Sequence, residues 1–372
     1  MRFVLFCHSL LSDWNHGNAH FLRGVVSELL ARGHRVDVFE PSDAWSMTNL
    51  LADAGPSAVA EFHRAYPRLS STQFDLDRFD VEQVLDDADV VIVHEWSSPG
   101  LVQRVGRHRA GDGRYVLLFH DTHHRSATDA DGIARYDLDR FDGVLAFGEV
   151  IRQRYLKRGW SRRAWTWHEA ADVRMFRPLC DLEREGDLVW IGNWGDGERT
   201  GELHEFLIDP VRRLSLSARI HGVRYPEEAE RRLREVGIEY AGWLPNYRVP
   251  QVFSRFRCTV HIPRRPYVAA LPGVPTIRVF EALACGIPLL SAPWSDSDGL
   301  FTPGADFLMV KNGEEMTRRL RDVLNDPALA DALATHGLHT ILSRHTCGHR
   351  VDQLLAIVRE LQGREVEGAV PA

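Results

Sequence analysis

Along the first 170 residues, short apolar runs alternate with stretches in which apolar residues recur every three to four positions. A strand buried on both faces reads as an unbroken apolar run, whereas a crossover helix shows one apolar stripe, so this alternation predicts parallel βαβ units. Strands are predicted at residues 3–7, 35–39, 90–94, 115–120 and 143–147. Between the first two, Phe21, Leu22, Val25, Val26, Leu29 and Leu30 share one helical face and Gly33 follows as a stop, which predicts an amphipathic crossover helix. Residues 41–80 carry weaker periodicity, with Trp45, Pro56, Pro67 and a DLDRFD run, and read as a helical insertion. After Asp172 the polar, proline-punctuated stretch RMFRPLCDLEREGD interrupts the pattern. Strands then resume at 188–191, 218–221, 238–240, 259–262 and 287–291, separated by helices at 226–236, 276–285 and 314–325. From residue 326 the chain reads as helices, and residues 348–362 are amphipathic through Val351, Leu354, Leu355, Val358 and Leu361. This terminal helix is a candidate to pack back on the first domain. The expected class is α/β, with two doubly wound Rossmann-like domains at 1–172 and 173–345 and a terminal helix and tail at 346–372.

A length of 372 residues favours two cores. Hydrophobic residues at 44% and charged residues at 26% exclude a disordered or collagen-like chain. The net charge of −7 argues against a chain-wide nucleic-acid footprint, and no nucleic-acid partner is expected. Cys7, Cys180, Cys258, Cys285 and Cys347 form no CxxC pair and suggest neither a disulfide framework nor a zinc knuckle, which fits a reducing compartment. The opening MRFVLFCHSLL runs into polar SDWNHGN without a small-residue cleavage site and reads as a buried strand. No apolar run is long enough to span a bilayer, so a cytoplasmic location is expected.

Open α/β sheets bind ligands beyond the carboxyl ends of their strands, so the residues that follow predicted strands are the first candidates for chemistry. After the first strand, HSLLSDWNHGNAHF brings His16, Gly17 and Asn18 to the entrance of the crossover helix. Unpaired N–H groups gather there and glycine permits close approach, so the loop is a candidate to hold a phosphate or a sugar hydroxyl; a helix start capped by Asn18 explains it equally. FHDTHHR presents His120 at a strand end, suited to bind a polar substrate or move a proton. Its histidines match no defined ligand spacing, so no metal site is expected, and His123 and His124 read as surface residues. WIGNWGDGERTGEL, with Asn193, sets Arg199 and Thr200 ahead of a helix but lacks both GxxxxGK[ST] and GxGxxG. Arg199 offers a guanidinium fork suited to a diphosphate; a solvated loop arginine is the alternative.

The segment LPGVPTIRVFEALACGIPLLSAP is the most informative. Pro275 and Thr276 predict a capped helix start, Ile277, Phe280, Leu283 and Ala284 its buried face, and Arg278 and Glu281 an i, i+3 pair on another face. A helix entrance of this kind can hold an anion, and a carboxylate one turn on can accept two hydrogen bonds from the vicinal hydroxyls of a ribose. Together these describe a nucleoside-diphosphate site, with a surface Arg–Glu pair as the alternative.

On PTIRVFEALACGIP, HEAADVRMFRP and AGWLPNYRVPQVF, the chain resembles glycosyltransferases built from two facing Rossmann-like domains, the GT-B architecture of the group-1 superfamily. More narrowly it is similar to the spore-maturation CgeB-type subgroup. The resemblance implies that Glu281 binds ribose, that residues 273–277, including Gly273 and Ile277, cradle the diphosphate, and that Trp243 and Leu244 lie beside the base. It also implies that Arg199 contacts phosphate and that His120 lies near the reacting sugar. Many members carry a second carboxylate eight positions before the ribose-binding one, where this chain has Gly273. That departure leaves His120, Arg199 and Arg278 as the expected catalytic groups.

The function so implied is transfer of a sugar from a nucleotide-diphosphate sugar to an unidentified acceptor in the interdomain cleft, with retention as the family expectation. No cofactor is expected, and no DxD triplet of the sort that would hold a metal ion is identified. A nucleotide-sugar epimerase or hydrolase of the same fold, and a catalytically decayed binding protein, are the rival readings. The stretch KRGWSRRAWTW at 157–167 is a candidate for peripheral membrane contact, against tryptophans that simply pack at the domain boundary.

Overall fold

The computed structural model describes residues 1–111, 113–180, 182–195 and 197–368. They form two compact units, residues 1–169 together with the terminal helix from residue 347, and residues 170–346. Three helices matter most to the site and the units: α1 (Ala19–Ala31), α2 (Ile277–Ala284) and α3 (Cys347–Gly368).

The first unit is built on β1 (Arg2–Phe6), β2 (Arg35–Pro41), β3 (Thr72–Phe74), β4 (Val90–His94), β5 (Val116–Asp121), β6 (Gly143–Ala146) and β7 (Ala164–Thr166). All neighbours are parallel, in the order β3-β2-β1-β4-β5-β6-β7. β1 registers Phe3 against Val36 on one side and Val90 on the other, and every residue of β4 is buried, as an unbroken VVIVH run requires. The order reverses between β1 and β4, so the loops that follow these two strands diverge and leave a crevice at their carboxyl ends.

Helix α3 completes this unit. Val351, Leu354 and Val358 are fully buried, and Arg32, just past α1, bonds Asp352 at 2.6 Å and the Gly348 carbonyl at 3.1 Å. The stretch 157–167 contributes β7 at the sheet edge. Its Trp167 is buried against Phe21 and His120, with ring centroids 4.9 and 4.8 Å away, and donates to the Arg350 carbonyl at 2.8 Å.

The second unit holds β8 (Gly186–Ile191), β9 (Ala218–His221), β10 (Glu239–Tyr240), β11 (Phe256–His261), β12 (Leu289–Ser291) and β13 (Leu308–Met309). They too are all parallel, in the order β10-β9-β8-β11-β12-β13, which puts the reversal between β8 and β11. The two-sheet α/β class is as expected from the sequence. Strands β3, β7 and β13 are the ones the pattern missed: each has two or three residues at or next to a sheet edge, too few to show a period. The insertion at 41–80 is helical at Trp45–Ala54 and Ser57–Ala65 but also contains β3. No described helix is long and apolar enough to cross a membrane.

Candidate functional site

The loops that leave β8 and β11 meet at the reversal of the second sheet. Arg199 joins them: its guanidinium donates to the Asn193 carbonyl after β8, through Nε at 3.1 Å, and to the Ile262 carbonyl after β11 at 3.0 Å. The same group lies over the Trp190 ring, 5.1 Å from its centroid. The solvated loop arginine is therefore excluded. Arg264, two residues beyond Ile262, pairs with Glu198 at 3.2 Å. Burial, and then like charge from Arg264 and Arg278, lower the Arg199 pKa to about 10, so the corner carries concentrated positive charge. Asn193 turns its side chain away from that corner and accepts from the Val223 amide at 3.0 Å. Thr200 begins the short helix Thr200–Leu203.

Gly273 has φ +86°, the left-handed region that a side chain strains. Its amide donates to the Ser295 carbonyl at 2.7 Å, which draws the loop after β12 against it. A Cβ on Gly273 would collide with the Asp298 carboxylate and come within 2.8 Å of the Ser297 hydroxyl. A carboxylate from the loop after β12 thus lies against position 273. Residues 296–298 are in fact a D-S-D triplet, which the sequence reading passed over. Its two acids diverge, because both oxygens of Asp296 accept backbone amides, from Leu300 at 3.0 Å and Phe301 at 2.8 Å. Among the described residues, no three histidine, cysteine or acidic side chains converge as a metal site.

Pro275 is buried and Ile277, 6% exposed, opens α2. Thr276 holds the N-cap position in extended conformation, but its hydroxyl does not cap the helix as expected. It bonds instead to Nε2 of His261 at 3.1 Å, and His261 Nδ1 bonds the Ser291 hydroxyl at 2.9 Å. Burial lowers the His261 pKa to about 3, so the ring stays neutral while it holds Thr276 aside. The first N–H groups of α2 are left without a side-chain cap, an arrangement that receives an anion.

One turn into α2, Glu281 is fully buried, not half of a surface pair. Its carboxylate accepts from the Asn246 amide at 2.7 Å and pairs with Arg278, whose own side chain is 30% exposed. Trp243 and Leu244 are half-buried on the segment that leads to Asn246. The buried carboxylate of Glu281, the uncapped helix entrance and the arginine corner all belong to this second unit.

The other candidates lie in the first unit. His16 and Asn18 are buried and Gly17 is exposed at the entrance of α1. Asn18 does not cap the helix: its amide donates to the Glu169 carboxyl at 2.9 Å. That acid beside the entrance disfavours a phosphate, and of the two expected ligands a hydroxyl suits the loop better. His120 is the penultimate residue of β5, near Trp167, and burial lowers its pKa to about 3. His124 is buried, not a surface residue: it sits at the start of a short helix and its Nδ1 bonds Thr128 at 2.9 Å.

Sequence reading missed His261, Asn246, Arg264 and Asp298. His261 and Arg264 had the strand-end signal that singled out His120; Asn246 and Asp298 are brought in by tertiary folding and carry no local mark.

Residues 16–174 match the family model described as Glycosyltransferase Family 4, and residues 199–356 match the one described as Glycosyl transferase-like. No curated protein sequence matches the chain. Among solved structures, the chain is similar to the sucrose-phosphate synthase of Thermosynechococcus elongatus, with 14% identity over 98% of this chain and 100% of that one and a TM-score of 0.65. Anabaena HepE in complex with UDP and glucose gives 14% identity over 96% and 99%, with a TM-score of 0.67. An alpha-glucosyltransferase in complex with UDP and a 13-mer DNA containing an HMU base gives 12% identity over 96% and 99%, with a TM-score of 0.69. The fold is that of the GT-B glycosyltransferases, and both halves of the chain carry glycosyltransferase-type sequence.

Proposed function

We propose that the protein is a glycosyltransferase that moves a hexosyl or related unit from a nucleoside-diphosphate sugar to an acceptor, without a metal ion and with retention at the anomeric carbon. The observation that carries this reading is the second unit's combination of an uncapped α2 entrance with a buried Glu281 one turn away. The family-model matches support it, as do the UDP complexes of the similar HepE and alpha-glucosyltransferase structures. The E-A-x-A-C-G-x-P run supports a relation to the CgeB-type subgroup.

In this reading Glu281 accepts the ribose hydroxyls, held in position by Asn246, and Trp243 and Leu244 flank the base. The diphosphate sits at residues 273–277. As the glycosyl bond breaks, negative charge grows on the departing nucleoside diphosphate. The α2 N–H groups with Arg199, Arg264 and Arg278 stabilise it more in the transition state than in the ground state, which is what lowers the barrier. Asp298 takes the part of the acid absent at Gly273, on the sugar side of the diphosphate. His120 serves the acceptor.

A panel of UDP-, GDP- and ADP-sugars screened by thermal shift, followed by product analysis with and without acceptors, tests the proposal. A donor that raises the melting temperature and yields glycoside only when acceptor is present is the expected result. Turnover without acceptor would favour the epimerase or hydrolase, and binding without turnover the decayed binding protein.

A further inference from the structure

At the crevice of the first sheet, between β1 and β4, four histidines crowd together. Ring centroids are 5.1 Å apart for His8 and His16, 6.4 Å for His16 and His94, and 5.3 Å for His94 and His120. All four are at least nine-tenths buried, with exposures of 4, 5, 1 and 1%. Some of their nitrogens are committed: His94 Nε2 bonds Thr122 at 2.8 Å, and the Ser46 amide reaches His8 Nε2 at 3.4 Å. Others are not. His16 Nε2, His94 Nδ1, His120 Nε2 and the Asn18 side-chain oxygen have no hydrogen-bond partner within the protein. Leaving buried polar atoms unpaired is costly, so three on adjoining imidazoles, with the Asn18 oxygen two residues past His16, point to a ligand that satisfies them.

The surroundings say which ligand. Trp45 lies 4.6 Å from His8 at an interplanar angle of 30°, and Trp96 stands 6.5 Å from Trp45 at 73°. Both indoles are half-buried and set aromatic faces beside the polar floor that the imidazoles form. The nearby cations are engaged: Arg23 with Asp13 at 2.8 Å and the Leu10 and Leu11 carbonyls, Arg125 with Asp129 at 3.1 Å while it lies over Trp96. Of the acids, Glu40 is fully engaged, whereas Glu95 uses one oxygen and leaves the other without a partner within the protein. Glu40 accepts Ser9, Leu10 and Leu11, and Glu95 accepts the Thr122 amide. Burial lowers His8 to about 4 and His120 to about 3, and drives His16 and His94 down as well, so the floor is uncharged at neutral pH. Neutral imidazoles and an amide oxygen suit hydroxyl groups, which donate and accept, and offer nothing to balance a phosphate or carboxylate.

We propose that this cluster, flanked by Trp45 and Trp96, binds an uncharged polyhydroxylated ring and discriminates against phosphorylated or carboxylated sugars. That the bound ring is the acceptor of transfer rests on the function proposed above; the binding itself does not.

Tryptophan-fluorescence titration of the full chain at neutral pH tests the proposal. The probes are methyl glycosides of glucose, galactose and mannose, maltotriose as a glycan end, and glucose 6-phosphate and glucuronate as charged counterparts. The expected result is saturable binding of at least one neutral probe, at least about tenfold tighter than either charged one, with Trp45→Ala and Trp96→Ala each weakening it about tenfold. A response to maltotriose alone would identify a glycan chain end. No response to any neutral probe, or preference for a charged one, overturns the proposal. UDP titrated separately keeps the two readings apart: UDP binding without saccharide binding sinks this inference alone, and the converse sinks the donor site alone.

Discussion

Replacing Glu281 by glutamine keeps its volume and removes its charge. The carboxylate is fully buried and holds the Asn246 amide at 2.7 Å on one oxygen and Arg278 on the other. A glutamine keeps the bond to Asn246 through its own oxygen, but turns an NH2 toward Arg278 and the ribose. Hydrogen bonds to a charged group contribute about 1.5–3 kcal/mol, against about 0.5–1.5 for neutral ones. Two ribose bonds reduced from the first class to the second should therefore cost about 1–3 kcal/mol of nucleotide affinity, roughly 5- to 150-fold in Kd. Alanine is the less clean change. Arg278, 30% exposed, can recover water, whereas Asn246 at 4% cannot, so Glu281→Ala should also lose stability through an orphaned amide. Calorimetric titration of UDP into wild type and Glu281→Gln, with urea melts as the control for folding, decides the matter. A folded Glu281→Gln protein that binds UDP within twofold of wild type would refute the ribose role.

Asp298→Asn should lower kcat by at least about tenfold in steady-state assays, with UDP affinity nearly unchanged, because its proposed task is on the sugar side; an equal loss of both would show that the acid serves the diphosphate loop. Gly273→Ala strains a φ of +86° and strikes Asp298, so the melting temperature and UDP affinity should fall together; a variant as stable as wild type would mean the two loops are not closed on each other. Acid should destabilise the fold from pH about 6.5 downward. His120 and His261, neutral in the native state with pKa values near 3, take up protons only on unfolding over that window, each adding up to about 1.4 kcal/mol per pH unit. Asp121, raised to about 6 by burial, and Glu95, also raised, act in the opposite sense, but His8, His16 and His94 join the first group. Urea midpoints that stay level between pH 7 and 5 would contradict the neutral histidines.

The parallel strands were legible because buried strands such as VVIVH leave unbroken apolar runs, and α2 was legible because its buried face repeats on helical spacing. Glu281 was found for the same reason: it lies on a helix whose entrance is marked by glycine, proline and threonine. Its burial was not legible, since Asn246, 35 positions earlier in the chain, is what receives it. Thr276 and Asn18 show the limit of local rules. Both sit at helix entrances with side chains suited to capping, and both are drawn off by partners the sequence could not reveal, His261 and Glu169. Asp298 shows the same limit in reverse, because the carboxylate that lies against Gly273 comes from the loop after β12 and carries no local mark.

The return of α3 to the first unit sets an order of assembly. Residues 170–346 are contiguous and can complete themselves as they leave the ribosome, whereas the first 169 residues wait for a helix whose first residue is 347. At roughly 5–20 residues per second, the intervening 177 residues (346 − 169) take roughly 10–35 s to synthesise. Throughout that interval the apolar surface that Val351, Leu354 and Val358 will cover is bare. The unit made first is thus the one finished last, and a nascent chain stalled short of residue 347 leaves an incomplete core open to chaperones and proteases.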